Sequence, residues 1–294
     1  MGADMTDPVR LPDGFEISAM TRDEAAVLES WAGAEGWNPG LNDMDIAWAS
    51  DPDAFIALRR NGELAGGGTI IAYGRKAGFM GLFIMRADLR RQGLGRVLWH
   101  ERLRRLRARL DPDAPIGMDG VFNMAPFYAS GGFRLLYRDL RFEGEASGRL
   151  DPGAIRLENV PWPEIAAYDL AVSGIDRPDF MQRWIGQPGG RGFAMRRSGA
   201  VAGYGFVRPC RSGYKIGPLY ADDVYVAGAL LGSLLSTISG HPVAFDVPEP
   251  NQAALGLAKR RGWTQSFGCA RMVNGQETAP PPDRVFGVTS FEFG

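Results

Sequence analysis

The chain has 294 residues, 45% hydrophobic and 23% charged, a length that suits two domains of roughly 150 residues better than one. Its 33 basic and 34 acidic residues nearly cancel, so overall charge recruits neither nucleic acid nor a membrane surface. With only two histidines, most histidine-rich metal sites are excluded and no metal is expected. No apolar run suits a membrane span or a signal peptide, so we expect a cytoplasmic protein with Cys210 and Cys269 as buried, reduced thiols.

A repeat divides the chain into two similar halves. The stretches RRNGELAGGG from Arg59 and RRSGAVAGYG from Arg196 share the Arg-Arg pair, the turn glycine and an Ala-Gly-x-Gly ending. Each is typical of a β-hairpin, because apolar strands flank an Asn-Gly or Ser-Gly turn. Each hairpin is followed by a strand and a helix, then by a strand, a short helix and a further strand. The chain is therefore predicted to be a tandem duplication of one α/β unit.

The boundary between the halves is predicted in a polar stretch that contains glycine, serine and proline, EGEASGRLDPG. We predict an N-terminal domain over residues 1–145, a linker over 146–154 and a C-terminal domain over 155–294. The last apolar stretch, RVFGVTSFEFG, alternates well enough to be predicted as an ordered terminal strand.

The first half has two glycines directly before an amphipathic helix. Apolar residues follow helical spacing from Leu94 onward, and two arginines precede Gly93 and Gly95. A helix N-terminus offers unpaired N–H groups and the positive end of the helix dipole, so this turn is a candidate pyrophosphate site. The alternative is a tight turn that leads into a solvated helix. Most arginines between residues 102 and 109 are expected to face solvent.

The order of apolar strand, Arg-x-x-Gly-x-Gly and helix resembles the acyl-CoA-binding motif of the GCN5-related N-acetyltransferases (GNAT superfamily). The stretch FNMAPFYASGGF is similar to a second signature of that superfamily, with Asn123 and Tyr128 ahead of Gly132-Phe133. The stretches WNPGLND, MDGV, KIGPLYADD and FDVPEPNQAALGLAKRRGW resemble a bacterial subgroup of tandem acetyltransferases, the YitH-like proteins. The resemblance implies an α/β fold of the α+β mixed-sheet kind, with two similar domains, each a mostly antiparallel, splayed central sheet flanked by helices.

The resemblance also implies a role for each matching position, with acetyl-CoA as cosubstrate. Tyr128 would be the general acid at the thioester sulfur, and Asn123 would lie near the coenzyme. In this chain Asn123 precedes Gly132 by nine positions, whereas the corresponding asparagine and glycine of the second half are separated by the more usual eleven. The role of Tyr128, which aligns from the glycine, is therefore better supported than that of Asn123. The pantetheine arm would pair with Phe83, Ile84 and Met85, and the pyrophosphate would be held by Arg90, Arg91, Gln92, Gly93, Leu94, Gly95 and Arg96.

The resemblance leaves the general base unassigned, because the strand GFMGLFIM contains no glutamate where many relatives have one. Candidates are Asp43, Asp45 and Asp119, of which Asp119 is predicted as the catalytic one. Trp37, Asn38 and Asp43 are predicted to shape the acceptor site, although Trp37 and Asn38 could equally form only a turn.

The function implied is acetyl transfer to the primary amine of a small molecule. The alternatives are a non-catalytic acyl-CoA-binding sensor or scaffold, and an acetyltransferase of a protein or peptide amine. We expect no nucleic-acid or membrane partner, and a monomer or homodimer.

The second half lacks the groups that this chemistry needs. With Ala87-Asp88 aligned to Ala221-Asp222, Val224, Ala227 and Ala229 take the places of Arg90, Gly93 and Gly95, and Ala258 takes that of Tyr128. The C-terminal domain is therefore predicted to keep the fold without binding coenzyme.

Overall fold

The computed structural model of the protein describes residues 11–276 and 280–294, so residues 1–10 and 277–279 of the two predicted domains lie outside the described residues. The strands are β1 (Phe15–Ala19), β2 (Phe55–Arg60), β3 (Glu63–Tyr73), β4 (Ala77–Met85), β5 (Ile116–Val121), β6 (Arg134–Glu145), β7 (Ile155–Arg156), β8 (Arg191–Arg197), β9 (Ala200–Pro209), β10 (Tyr214–Ala221), β11 (Pro242–Pro248), β12 (Thr264–Asn274) and β13 (Val285–Gly287). The helices are α1 (Arg22–Ala34), α2 (Asp43–Ser50), α3 (Leu94–Arg109), α4 (Ala125–Ser130), α5 (Trp162–Ser173), α6 (Pro178–Ile185), α7 (Val224–Ser236) and α8 (Gln252–Arg260).

The two hairpins predicted from the repeat are present as β2–β3 and β8–β9. Their turn residues all have positive φ: 51° and 85° at Asn61 and Gly62, and 50° and 86° at Ser198 and Gly199. Two consecutive positive φ angles are the requirement of a type I′ turn, whose twist matches that of the flanking strands. The Asn-Gly and Ser-Gly pairs therefore fix the register of both hairpins.

The strands form one continuous sheet in the order β1-β2-β3-β4-β5-β12-β6-β11-β10-β9-β8-β7, with β13 paired to β10. The two halves exchange their last long strands. β12 of the second half lies between β5 and β6, and β6 of the first half lies between β12 and β11, all antiparallel. The predicted boundary at 146–154 falls between β6 and β7, while the sheet itself runs unbroken through both halves.

Helices cover both faces of this sheet, which confirms the predicted fold class. On one face, α1, α2, α5 and α6 share a single apolar core that includes Phe55, Phe79, Phe180, Trp184 and Phe293. On the other face, α3 and α4 cover the first half, and α7 and α8 cover the second. Alternation along the strands sends neighbours such as Phe79 and Met80 to opposite faces.

The predicted terminal strand is shorter than the sequence pattern indicated. Only β13 is a strand, and residues 288–294 continue as turns that cross the sheet toward β4. A Cβ on Gly81 of β4 would overlap the carbonyl oxygen of Glu292, so the crossing depends on a glycine at that position. We call residues 285–294 the crossing segment.

Two buried ion pairs hold the centre of the molecule. Arg208 of β9 donates Nε to Asp43 of α2 at 2.8 Å, and Arg141 of β6 donates Nε to Asp246 of β11 at 2.6 Å. All four side chains are 0–1% exposed. Removing one member of a buried ion pair leaves the other charge uncompensated, so each arginine needs its aspartate. Each pair joins a residue of the first half to one of the second.

Asp43→Asn should lower the free energy of unfolding by about 3–5 kcal/mol, because Arg208 would stay buried without its counter-charge. Urea denaturation measures this loss. The matched control is Asp45→Asn, whose partner Arg22 and own carboxyl are exposed, with an expected cost below about 1 kcal/mol. Equal losses for the two variants would contradict the structural role of the buried pair.

Candidate active site

A cavity of about 550 Å³ opens where β4 and β5 separate. The two parallel strands pair only at Gly78–Ile116 and Phe79–Gly117, and then diverge. Leu82 in β4 has a positive φ of 51°, at the point where the pairing of β4 with β3 shifts register. This irregular part of β4 lines the gap between β4 and β5. An elongated ligand could lie between the two strands without disrupting their ladder.

The predicted anion-binding turn forms one end of the cavity. Gly93 is the N-cap of α3 with φ 82°, and a Cβ there would meet no heavy atom of the described residues within 4 Å. The approach to the first turn of α3 is therefore unobstructed. Arg90 donates Nε to the carbonyl of Met85 at 2.9 Å and pairs with Glu35. Exposed arginines 91 and 96 complete a cationic rim.

Most of the predicted site residues line this one cavity: Trp37, Phe83, Ile84, Met85, Arg90, Arg91, Gly93, Gly95, Arg96, Asp119, Asn123 and Tyr128. Gln92 instead donates its amide to the carbonyl of Asp88, and Leu94 packs in the core beneath α3. The glycines and arginines of the turn therefore line the cavity, whereas the side chains of Gln92 and Leu94 stabilise the local fold.

Asn38 and Asp43, predicted to bind the acceptor, lie elsewhere in the structure. The Asn38 side chain bonds the backbone of Ser212, donating to its carbonyl at 2.9 Å and accepting from its N–H at 3.0 Å. Both carboxylate oxygens of Asp43 accept from Arg208, and one also accepts from the N–H of Gly40. These contacts occupy both side chains in joining the two halves, because the loop before α2 packs on the end of β9.

Tyr128 is buried against the wall of the cavity. Its ring lies on Gly120 of β5, where a Cβ would overlap it, and it packs beside Trp99 and Phe127. Burial raises the pKa of Tyr128 to about 12, although the charge of Arg102 acts in the opposite direction. The phenol therefore keeps its proton at neutral pH.

Arg102 corrects the expectation that the arginines of α3 mostly face solvent. It is 1% exposed and donates Nη2 to the carbonyls of Thr69 and Gly81, and burial lowers its pKa to about 9. Of the others, Arg104 is exposed, whereas those at 105, 107 and 109 are half-buried and hydrogen-bonded. A sequence signal was present, since Arg102 is four residues from both Leu98 and Leu106 and so shares their apolar face.

Asp119 belongs to a buried carboxyl pair that sequence reasoning did not find. Its side chain has no exposed surface and accepts from Arg271 Nη1 at 2.9 Å. The fully buried carboxyl of Asp139 in β6 lies close enough to Asp119 for the charge of Asp119 to act on it. Burial raises the pKa of Asp119 to about 6, and burial together with the neighbouring charge of Asp119 raises that of Asp139 well above its usual value. Asp139 escaped prediction because its position relative to Asp119 is set by β12, which comes from the second half and lies between β5 and β6.

The second half supplies part of the cavity wall. Phe267 and Cys269 of β12, together with Phe291 and Glu292 of the crossing segment, line its end away from the α3 turn. Both cysteines are free and buried, as predicted. No local motif marks these residues, since they reach the cavity through pairing of β12 with β5 and through the path of the crossing segment.

The equivalent gap in the second half is filled by the chain itself. β10 and β11 are parallel and pair only from Tyr214–Val243 to Ile216–Phe245. Beyond that point β13 pairs with β10, and Val288 donates its N–H to the carbonyl of Asp246 in β11. The side chain of Asp223 caps α7 by accepting from the N–H groups of residues 225 and 226. The N-terminus of α7 is therefore occupied by a carboxylate of the protein itself, whereas the N-terminus of α3 has no side-chain cap.

Comparison with known families identifies both halves. Residues 165–287 match the family model described as acetyltransferase (GNAT) domain, and residues 21–114 match that described as acetyltransferase (GNAT) family. The chain belongs to the GNAT acetyltransferases as a tandem protein, and it is an acyltransferase. GNAT acetyltransferases use an acyl-CoA as cosubstrate.

Individual relatives span nearly the whole chain. Holothin acyltransferase of Pseudoalteromonas sp. (strain SANK 73390) is 24% identical over 277 residues, 92% of each chain. The N-acetyltransferase YitH of Bacillus subtilis (strain 168) is 21% identical over 79% of this chain and 82% of its own. A crystal structure from Pyrococcus horikoshii superposes with a TM-score of 0.82 at 23% identity, over 97% of this chain and 98% of its own. These likenesses support the same tandem fold.

Two further observations concern the described ranges, 11–276 and 280–294. None of their helices has the length and apolar character needed to cross a membrane. They also contain no group of three or more histidine, cysteine, aspartate or glutamate residues placed to hold a metal ion.

Asp139→Asn should change how stability depends on pH. A carboxyl whose pKa is raised in the folded state stabilises the fold at low pH, and this contribution is lost as pH rises through the folded pKa. Wild type should therefore lose stability relative to Asp139→Asn as pH rises above the usual aspartate range, by about 1.4 kcal/mol per unit of pKa shift. Urea midpoints at increasing pH measure it, with Asp45→Asn as the exposed control. Parallel pH dependences for wild type and Asp139→Asn would contradict the raised pKa.

Proposed function

We propose that the protein transfers an acetyl group from acetyl-CoA to the primary amine of a small molecule, at one site in its first half. The observation that carries this proposal is the open N-terminus of α3 and the protonated phenol of Tyr128 on one cavity between diverging strands. An anion-binding turn at one end and a proton donor within reach of the gap are the two elements that acyl transfer from a coenzyme thioester requires.

The coenzyme would lie along the gap with its pyrophosphate at the α3 turn. Backbone N–H groups of the turn, with Arg91 and Arg96, would neutralise the phosphates. The pantetheine arm would follow residues 83–85 of β4, past the point where β5 has separated from that strand. The thioester would then lie near Gly81 and Leu82, at the end of the cavity that faces Tyr128 and the crossing segment.

The reaction is a direct attack of the amine nitrogen on the thioester carbonyl carbon. A C–N bond forms and the C–S bond breaks, with its electron pair leaving on sulfur. Tyr128 would donate its proton to this sulfur, because a phenol with a pKa of about 12 is protonated before the step and stabilises the departing thiolate. Fixing both reactants in the cavity supplies the orientation that the uncatalysed reaction lacks.

The acceptor would be small, because the wall around the far end of the cavity is built from both halves. Trp37, Phe267 and Phe291 line that end, so an amine with an apolar body fits it. The name of one relative, holothin acyltransferase, supports acyl transfer as the reaction. The second half would bind no coenzyme, since β13 fills its gap and Asp223 caps its helix.

Gly93→Asp should abolish acetyl-CoA binding, because a carboxylate at the N-cap would repel the pyrophosphate and block the turn. Isothermal titration calorimetry should detect one site in wild type and none in the variant. Gly240→Asp is a matched control, since Gly240 also has positive φ, 78°, with equally open space around it among the described residues. Two sites in wild type would contradict an empty second half, and retained binding in Gly93→Asp would contradict the coenzyme site.

Tyr128→Phe should lower kcat by about 100-fold or more while leaving acetyl-CoA affinity unchanged, because the phenol acts only on the leaving sulfur. Thiol release with a reactive amine measures the rate, and calorimetry measures affinity. Tyr225→Phe, on an exposed tyrosine of α7, is the control. Full activity in Tyr128→Phe would remove the assigned proton donor. Coenzyme binding by wild type without turnover of any amine would identify a sensor.

A further inference from the structure

We propose that Glu292 of the crossing segment is the proton acceptor for the attacking amine, so that the second half completes the active site of the first. This inference rests on the proposed function. It supplies the base that β4 lacks, from a part of the chain more than 200 residues away in sequence.

Glu292 lies where the thioester end of the cavity is expected. It lines the cavity, and its backbone crosses Gly81, two residues beyond the last β4–β5 pair at Phe79. Glu292 is 4% exposed. Its side chain is held in place by Ser290, whose Oγ donates to Oε2 of Glu292 at 2.7 Å. The same Oγ accepts from the N–H groups of residues 292 and 293, at 2.9 and 3.1 Å. This turn fixes the carboxylate at the cavity wall.

The segment that carries Glu292 is anchored on both sides. Asn251, the N-cap of α8, donates its amide to the carbonyls of Asp283 and Val285 at 3.0 and 2.9 Å. At the other end Tyr73 donates its hydroxyl to the carbonyl of Phe293 at 2.5 Å, and Arg177 donates Nη1 to that of Gly294 at 2.6 Å. A carboxylate on a segment held at both ends keeps a defined position, as proton transfer requires.

Glu292 differs from the other carboxylates that line the cavity. Glu35 pairs with Arg90 at the α3 turn, far along the gap from the thioester end. Asp119 pairs with Arg271 and has no exposed side-chain surface. Glu292 forms no ion pair with any of the described lysines and arginines, although the buried guanidinium groups of Arg141 and Arg208 and the carboxyl of Asp119 lie near enough to interact with it electrostatically. Both arginines are already bound to an aspartate. Glu292 is therefore the cavity carboxylate without a directly bonded cation, and it can accept an incoming amine, which arrives as an ammonium ion at neutral pH.

The proton balance of the reaction is closed by this assignment. The ammonium nitrogen loses two protons in all. The Glu292 carboxylate takes one before the attack, passes it to solvent, and takes the second once the nitrogen has bonded to the carbonyl carbon. Tyr128 gives one proton to the sulfur as the C–S bond breaks. Proton exchange with solvent then restores both groups, so of the two protons lost by nitrogen one is balanced by the proton on sulfur and one is released to solvent. The same carboxylate attracts cationic amines, which makes it a determinant of acceptor class.

The test compares Glu292→Gln, Glu292→Asp and Asp119→Asn with wild type. Glu292→Gln should keep its affinity for acetyl-CoA and lose about 100-fold or more in kcat/KM. The loss in Glu292→Gln should shrink as pH rises toward the pKa of the acceptor amine, because an amine that arrives already deprotonated needs less help from a base. Any loss in Asp119→Asn should be the same at every pH. Glu249→Gln, on an exposed pair with Arg138, is the matched control.

A purely structural role for Glu292 would lower activity equally at every pH, and that result overturns the proposal. So does a loss smaller than about threefold, or a loss in Asp119→Asn that shrinks as pH rises instead. If Glu292→Gln fails to bind acetyl-CoA, Glu292→Asp decides: a loss that shrinks as pH rises supports the proposal, and a loss that is the same at every pH overturns it. Wild type without turnover of any amine contradicts the proposed function itself, and the role of Glu292 with it.

Discussion

The pairing of β12 with β5 on one side and β6 on the other is the interaction on which the rest of the molecule depends. It joins two sheets into one and makes the halves inseparable without breaking long antiparallel ladders. It places Phe267 and Cys269 in the cavity of the first half. It also aligns Arg271 with Asp119 and brings Asp139 next to that carboxyl. The charge of Asp119 is compensated by Arg271, and burial beside Asp119 raises the pKa of Asp139 well above its usual value.

The same exchange explains how a duplicated chain becomes asymmetric. After β12, the chain returns to the second half, where β13 occupies the gap between β10 and β11. It then crosses to the first half and ends its path at β4. One segment therefore fills the gap of one half and completes the cavity of the other. The residues of the second half agree with this path, since the side chain of Asp223 satisfies the N-terminus of α7 from within the protein.

Local sequence patterns predicted local structure well. The hairpin turns followed from Asn61-Gly62 and Ser198-Gly199, since few residue types adopt the required positive φ. The start of α3 at Leu94 followed from the glycines and the helical spacing after them. The cavity brings together Tyr128 and the Gly93 turn, both predicted from short motifs, because each motif is positioned by the strand directly before it.

Local sequence patterns did not predict contacts between residues that are far apart in the sequence. Arg102 was expected in solvent because arginine is usually exposed, yet the glycines of β3 leave room for it beneath the sheet. Asp43 was expected in the acceptor site, and its partner Arg208 lies 165 residues away in sequence. Asp139 and Glu292 carry no motif at all. Their positions follow from strand order, which a repeat in the sequence does not reveal when the repeated units exchange strands.

We propose a single coenzyme site in the first half that the second half completes. A crystal structure of the protein with acetyl-CoA tests this most directly. We expect one coenzyme molecule, with its pyrophosphate on the amides of the Gly93 turn and its thioester between β4 and β5, facing Tyr128 and Glu292. A coenzyme bound between β10 and β11, with β13 displaced, would contradict the account, as would a thioester remote from the crossing segment.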